Sequence, residues 1–332
     1  MGTVMTQIKP KVRRATAWLV LASAVCAVAQ PFAARADVEP ATVPMQLQRV
    51  ADGVYFVQGE AALGSALNQG FVSNSGVVVT DGGVLVVDAL GTPALARRLI
   101  EEIAKITTQP IRMVVVTHYH ADHIYGLQAF RAVGARVLAH VGARDYLGSD
   151  TARLRLQASR DELFPWIDES TQVVTPDQWI ERDTVLTLGT TTVQIRHVGP
   201  AHTPEDLAVV VPAAGVVFAG DLVFRGRVPF VGQADSRRWI ESLEQLIAAQ
   251  PRIVVPGHGP ATTDPAHDLA LTRDYLRHLR DTMGRAAREL EPFDDAYAKA
   301  DWSRFEAMPL FKQVNRMNAY NTYLLMEGQA GK

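Results

Sequence analysis

Cysteine is nearly missing from this chain. Cys26 is the single one among 332 residues, which excludes an intrachain disulfide and any metal site built from several thiolates. Aromatic residues are few, at 7%. The apolar stretch from Ala15 to about Ala29 is too short and too alanine-rich to span a bilayer, which needs ~20 residues. Strong charge of one sign is absent too, since 33 basic residues stand against 35 acidic ones. What is present is ordinary: 48% apolar and 20% charged residues exclude a collagenous, low-complexity or wholly disordered chain. The length suits one large domain or two small ones, with a core that needs no covalent staples.

The first 36 residues read as a secretory leader rather than as fold. Lys9, Lys11, Arg13 and Arg14 form a basic start, the apolar stretch follows, and Ala34-Arg35-Ala36 has the A-x-A pattern of a cleavage site. The residues after Arg13-Arg14 match a twin-arginine signal poorly, and those before Cys26 match a lipoprotein site poorly. Cleavage after Ala36 leaves 332 − 36 = 296 residues, without the cysteine and without five basic residues, so the net charge of −2 becomes −2 − 5 = −7. An acidic mature protein lacks the electrostatic footprint of a nucleic-acid binder. It is expected in the periplasm or outside the cell, with a small-molecule substrate and no stable membrane span.

Residues 46–59 read as a strand pair turning at Ala51-Asp52-Gly53, and residues 71–89 as a hairpin with arms 76–80 and 84–87. Leu95, Leu99, Ile103 and Ile106 have helical spacing, and 111–116 is a β-branched strand. A short helix, a strand over 136–140 and a helix from Gly142 follow, and 149–180 reads as a partly helical insertion. Strands return at 184–188, 192–198, 207–211, 216–219 and 253–255, with a serine-capped helix over 236–249. From Asp264 onward the pattern is helical, broken near Pro292 and Pro309. Two strand blocks with helices predict an α/β sandwich with its helices outside.

Chemistry concentrates where strands end. Thr117-His118-Tyr119-His120-Ala121-Asp122-His123 follows the apolar run Met113–Val116, and it places three imidazoles and a carboxylate within six positions. Imidazole nitrogen with carboxylate oxygen suits zinc, manganese or iron. A single histidine in such a place is more often a core or surface group. Four such groups together are hard to accommodate otherwise, because each buried unpaired polar group costs about 1–3 kcal/mol. His202, Asp221 and His258 each follow another predicted strand, and ligands in open sheets gather on one rim.

These residues resemble the H-x-H-x-D-H signature and the later His, Asp and His motifs of the metallo-β-lactamase superfamily, over roughly residues 46–260. The resemblance implies an αββα sandwich, here over 37–263, with a helical extension over 264–332 packed on it. It implies a dinuclear site: His118, His120 and His202 on one metal, Asp122, His123 and His258 on the second, Asp221 bridging. Two zinc ions are expected, with iron or manganese as alternatives. A hydroxide between them is the nucleophile, and Asp122 and Asp221 are the catalytic carboxylates. Asp221 stands where β-lactamases of this fold usually carry cysteine or serine, and thioesterases and lactonases carry aspartate. The expected reaction is therefore hydrolysis of an ester, thioester or lactone-type carbonyl, with β-lactams second. An iron-dependent oxygenase on a sulfur substrate and a non-catalytic metal-binding accessory protein are the rival readings. The leader and the tail sequence Asn315-Arg316-Met317-Asn318-Ala319-Tyr320 are similar to exported quinoprotein relay system and sulfur-oxidation-linked metallohydrolases.

Other residues carry two readings each. Tyr119 and Tyr125 either touch substrate or pack the ligand loop. Arg225 and Arg227 either recognise an anion or form surface ion pairs. Phe164 and Trp166 either cover the metals or pack the insertion. His140 and His197 stand as partners to the ligand imidazoles, His267 and His278 as surface residues. Leu310, Phe311, Val314, Met317 and Leu324 read as core packing. N-terminal sequencing of protein recovered from the exported fraction of the native host should begin near Asp37; full-length soluble protein in the cytoplasm would contradict the leader.

Overall fold

The computed structural model describes residue 2 and residues 39–330. The cleavable leader expected over 1–36 lies, Gly2 apart, outside the described residues. Strands β1 (Gln48–Ala51) and β2 (Val54–Val57) form the first hairpin, and β3 (Ser75–Thr80) and β4 (Gly83–Val87) form the second. Helix α1 (Pro93–Ile106) follows, with the Thr92 hydroxyl accepting the Leu95 N–H at 3.2 Å and Pro93 in its first turn. The chain continues through β5 (Ile111–Val115), α2 (Ala121–Ile124), α3 (Leu127–Ala132), β6 (Arg136–His140), α4 (Ala143–Leu147), α5 (Asp150–Leu163) and β7 (Gln178–Ile180). These seven strands make one sheet in sequence order, antiparallel from β1 to β4 and parallel from β4 to β7.

The second sheet holds β8 (Thr184–Leu188), β9 (Thr191–His197), β10 (Leu207–Val211), β11 (Val216–Phe218) and β12 (Ile253–Val255), in the order β12-β11-β10-β9-β8. Helix α6 (Ser236–Ala248) enters β12 by a crossover, so β11 and β12 are parallel. Then come α7 (Pro265–Arg288), α8 (Phe293–Lys299) and α9 (Phe311–Ala330), with the breaks at Pro292 and Pro309 as expected.

Side chains alternate across a strand, so a strand buried on both faces needs an unbroken apolar run. Val77, Val84, Val86 and Val114 face α1 and α3, where they meet Leu95, Leu99 and Phe130. Their neighbours Val78, Leu85, Val87 and Val115 face the second sheet, packing with Val193, Ile195, Val209 and Phe218. On the far side of that sheet, Val217 and Val254 pack with Trp239 and Leu243 of α6 and with Tyr275, Leu276 and Leu279 of α7. The result is an αββα sandwich with C-terminal helices.

Three local expectations need correction. The cap of α6 is Asp235, whose carboxylate accepts the Arg238 N–H at 3.1 Å; the Ser236 hydroxyl instead accepts from Arg280 at 3.0 Å. The insertion holds helix α5 but also strand β7, too short at three residues to show a period. In the tail, Val314 is buried, whereas Met317 and Leu324 are 40% and 44% exposed, so only part of that stripe is core. Leu279 is fully buried where α7 meets the second sheet's helix. Leu279→Ala should lower unfolding free energy by about 2–5 kcal/mol, read as a reduced urea midpoint with an unchanged slope.

Candidate metal centre

Five strand ends deliver polar residues to one edge of the sandwich. β5 ends in Val115, and the next residues run into the four-residue helix α2, whose N-cap is His120 and whose first turn carries Asp122 and His123. Gly220, with φ of +52°, follows β11 and turns the chain so that Asp221 points inward. A side chain at Gly220 would lie 2.7 Å from the Thr117 hydroxyl, and one at Gly257 would run into the Asp221 carboxylate. Glycine at both positions lets the ligand loops close on each other.

All seven residues singled out in the sequence come together. His118, His120, His202 and Asp221 form one group, and Asp122, His123 and His258 form a second; within each group the ligand atoms lie within 4.8 Å of one another. His120 Nδ1 is 3.2 Å from His118 Nε2 and 3.0 Å from His202 Nε2. Asp221 stands between the groups. Its Oδ2 is 3.4 Å from His202 Nε2 and 3.3 Å from His258 Nε2, and its Oδ1 is 3.3 Å from His123 Nε2. Asp122 Oδ2 lies 3.4 Å from His258 Nε2.

The donors suit a divalent cation. His123 Nε2 and Asp221 Oδ1 face each other at 3.3 Å, and neither makes a well-aligned hydrogen bond among the described residues; leaving such buried atoms unsatisfied is costly. Burial holds His118 well below the usual imidazole range, lowers His120, and brings His202 down to about 3. Those rings are therefore neutral, as metal ligation requires. Burial opposes charge on His123 as well, but Asp122, Asp221 and Asp88 draw it well above the ordinary value. Burial likewise opposes charge on Asp221, yet His258, His123 and His118 keep it well below the carboxylate range. Neutral imidazoles together with two carboxylates are the donor set that a divalent metal takes.

The outward nitrogens of His123 and His258 are held too, whereas His202 Nδ1 is buried with no hydrogen bond among the described residues. Asp88 ends β4 with φ of +62°. Its carboxylate accepts the Thr117 N–H at 2.7 Å and the Thr117 hydroxyl at 2.8 Å, and contacts His123 Nδ1 at 2.9 Å. His258 Nδ1 donates to the Val72 carbonyl at 2.7 Å. Asn74 donates to the carbonyls of Pro256 and Gly259 at 2.8 and 2.7 Å, tying the His258 loop to the first sheet. Such partners fix ring orientation. Asp88 escaped the sequence reading although it carries the same signal as the ligands, a polar residue directly after an apolar strand.

The paired readings now separate. Tyr119 and Tyr125 are fully buried, and the Tyr119 hydroxyl donates to the Val174 carbonyl, so both pack the loop. Trp166 is buried and donates to the Ala66 carbonyl at 2.8 Å, while Phe164 is 67% exposed. Arg225 pairs with Asp268 at 2.7 Å. Arg227 is 5% exposed, with Nη1 3.4 Å from His258 Nδ1 and its guanidinium over the Phe224 ring, and it has no carboxylate partner among the described residues. His140 and His197 stack on each other at 3.8 Å rather than on the seven. His267 is exposed, whereas His278 is half-buried against Trp302 and Phe305. Aromatic rings that the sequence reading missed also frame the centre: Phe224 stacks on His258 at 5.0 Å, Trp239 lies 5.1 Å from His202, and Phe230 stands edge-on to His120 and His202.

A sequence profile of the metallo-β-lactamase superfamily matches residues 68–258. The chain is 29% identical over 192 residues to a metallo-β-lactamase type 2 of Bacillus sp. (strain 170), covering 56% of this chain and 66% of that one. It is 24% identical over 238 residues to a linear primary-alkylsulfatase of Pseudomonas sp. (strain ATCC 19151), covering 61% of this chain but 45% of that one. Among solved structures, the stereoselective inverting sec-alkylsulfatase of Pseudomonas sp. superposes with a TM-score of 0.68 at 15% identity, over 85% of this chain and half of that one. The chain spans about two-thirds of the first relative's length and less than half of the second's. With a profile match across more than half its residues, and a sandwich edge built as that match requires, the chain belongs to the metallo-β-lactamase superfamily.

Proposed function

We propose that the protein is a metal-dependent hydrolase with a dinuclear centre, acting on an ester, thioester or lactone-type carbonyl. The observation that carries this reading is the place of Asp221, a buried carboxylate whose oxygens reach imidazoles of both ligand groups. His118, His120 and His202 would hold one metal, Asp122, His123 and His258 the other, with Asp221 shared. Bound zinc supplies Lewis acidity and brings the pKa of a coordinated water toward about 7. Fixed imidazoles and the buried carboxylate set the geometry before substrate arrives, so little reorganisation is left for the reaction. Asp122 is the one carboxylate of the set that solvent reaches, 27% exposed against 4% for Asp221. It can orient the attacking water, take a proton on its carboxylate oxygen and pass it to the leaving group. The leader pattern in residues 1–36 supports export of this activity to the periplasm or outside the cell.

A second reading, cleavage of an alkyl sulfate, is favoured by Arg227. A guanidinium buried without a carboxylate partner is costly, and an anionic group on the substrate would offset that cost. A substrate panel of thioester, lactone, aryl ester, cephalosporin and alkyl sulfate, run on zinc-, iron- and manganese-loaded protein, separates the two.

Protein purified without chelator should carry two metal ions per chain by elemental analysis. Asp221→Asn keeps size but loses the anionic charge, so it should release the second metal and lower turnover while the fold and one metal persist. Asp221→Cys should restore metal better than Asn, because a thiolate ligates. Unchanged metal content and unchanged hydrolysis in Asp221→Asn would remove Asp221 from the site.

A further inference from the structure

The tail sequence Asn315–Tyr320 has no role in the metal centre itself, yet α9 reaches the centre's mouth. Asn318 is fully buried. Its Oδ1 accepts the Val231 N–H at 3.0 Å, and its Nδ2 donates to the Pro229 carbonyl at 2.7 Å and to the Tyr275 hydroxyl at 2.9 Å. The residue between the two clamped peptide groups is Phe230. The Tyr275 hydroxyl in turn reaches Asn315 at 2.8 Å, and the Val228 N–H donates to the Pro309 carbonyl at 3.0 Å. The loop that carries Phe230 is therefore tied to α9 and to Pro309 just before it, with Tyr275 of α7 bracing Asn318 from the other side.

Phe230 is half-buried, its ring centroid 6.1 Å from His120 and 6.3 Å from His202, nearly perpendicular to both. Gly232 has φ of +52°, and a Cβ there would lie 3.1 Å from the ring, so the loop folds back beneath Phe230. His120 and Asp122 are the members of the set that are not fully buried. Phe230 borders that opening and presents it with an uncharged hydrocarbon edge.

We propose that Phe230 is a specificity-determining wall that meets the apolar acyl part of the substrate, and that Asn318 is the positioning residue that holds it there. This rests on the hydrolase reading above, because it takes the acyl chain as the group beside the metals. The substrate class narrows to esters or thioesters of apolar acids of several carbons. A methylene fully buried against such a wall is worth up to about fourfold in affinity.

The test uses zinc-loaded full-length protein and two probe series. One is p-nitrophenyl acetate, butyrate, hexanoate and octanoate, read as KM and kcat. The other is the free carboxylates of the same acids, read as binding by calorimetry. In the wild type, carboxylate affinity should rise and KM should fall with chain length. Phe230→Ala should flatten both slopes, with KM for the octanoate ester affected far more than kcat. Asn318→Ala should repeat that pattern, and Asn318→Gln, which keeps both an acceptor for Val231 and a donor for Pro229, should recover part of the slope. Met317→Ala, at an exposed position on α9, should change neither. If Asn318→Ala fails to fold, Asn318→Gln and Phe230→Ala carry the test. A wild type without chain-length dependence, or variants that keep the full slope, would overturn the proposal. If no ester is turned over while the carboxylate slope exists and is lost in the variants, the ester-type carbonyl reading fails and the wall stands.

Discussion

A carboxylate with 4% of its side chain exposed, Asp221, is tolerable only because imidazole nitrogens surround it: His118, His123, His202 and His258 all approach its two oxygens. Burying an anion without such compensation would drive it to the neutral acid. The sandwich edge is shaped by this requirement. Four loops from two sheets must converge to within hydrogen-bond scale, and glycine at 220 and 257 removes the side chains that would keep them apart. The same convergence concentrates negative charge around His123, which is why the cluster favours a cation.

Holding the rings in place takes a further set of residues. Asp88 serves both Thr117 and His123, so one carboxylate steadies the start and the end of the histidine-rich segment. Asn74 does the corresponding work for the His258 loop across the two sheets. Trp239 and Phe224 close the side toward α6, and the Trp239 N–H is itself satisfied by the Leu222 carbonyl at 2.9 Å. The ligands are thus embedded in packed side chains, and solvent reaches the set at His120 and Asp122.

The C-terminal helices belong to this design through hydrogen bonds rather than through ligands. Tyr275 of α7 and Asn315 and Asn318 of α9 form a buried polar chain whose end fastens the loop around Phe230. A buried network of that kind is stable only when its members are satisfied, and so it specifies one arrangement of loop and helix. An apolar contact in its place would have let the loop slide.

Much is legible in the sequence. Helix and strand periods locate most elements, because both faces of the central strands are buried and demand unbroken apolar runs. The seven clustered residues are legible because polar groups directly after such runs have little other use. What the sequence could not decide is which nearby residues face the cluster. Arg225 and Arg227 are two positions apart, yet one pairs with Asp268 and the other is buried beside His258. Tyr119 sits between two of the seven and points away from them. His140 and His197 find each other across the two sheets. Asn318 reaches Pro229 across 89 residues of chain. Local pattern thus determined the fold class and the clustered donors, since burial and periodicity are local demands. Only the tertiary structure decided the walls, the second partners and the burial of Arg227 beside His258. Those depend on which loops two stacked sheets bring to the same edge.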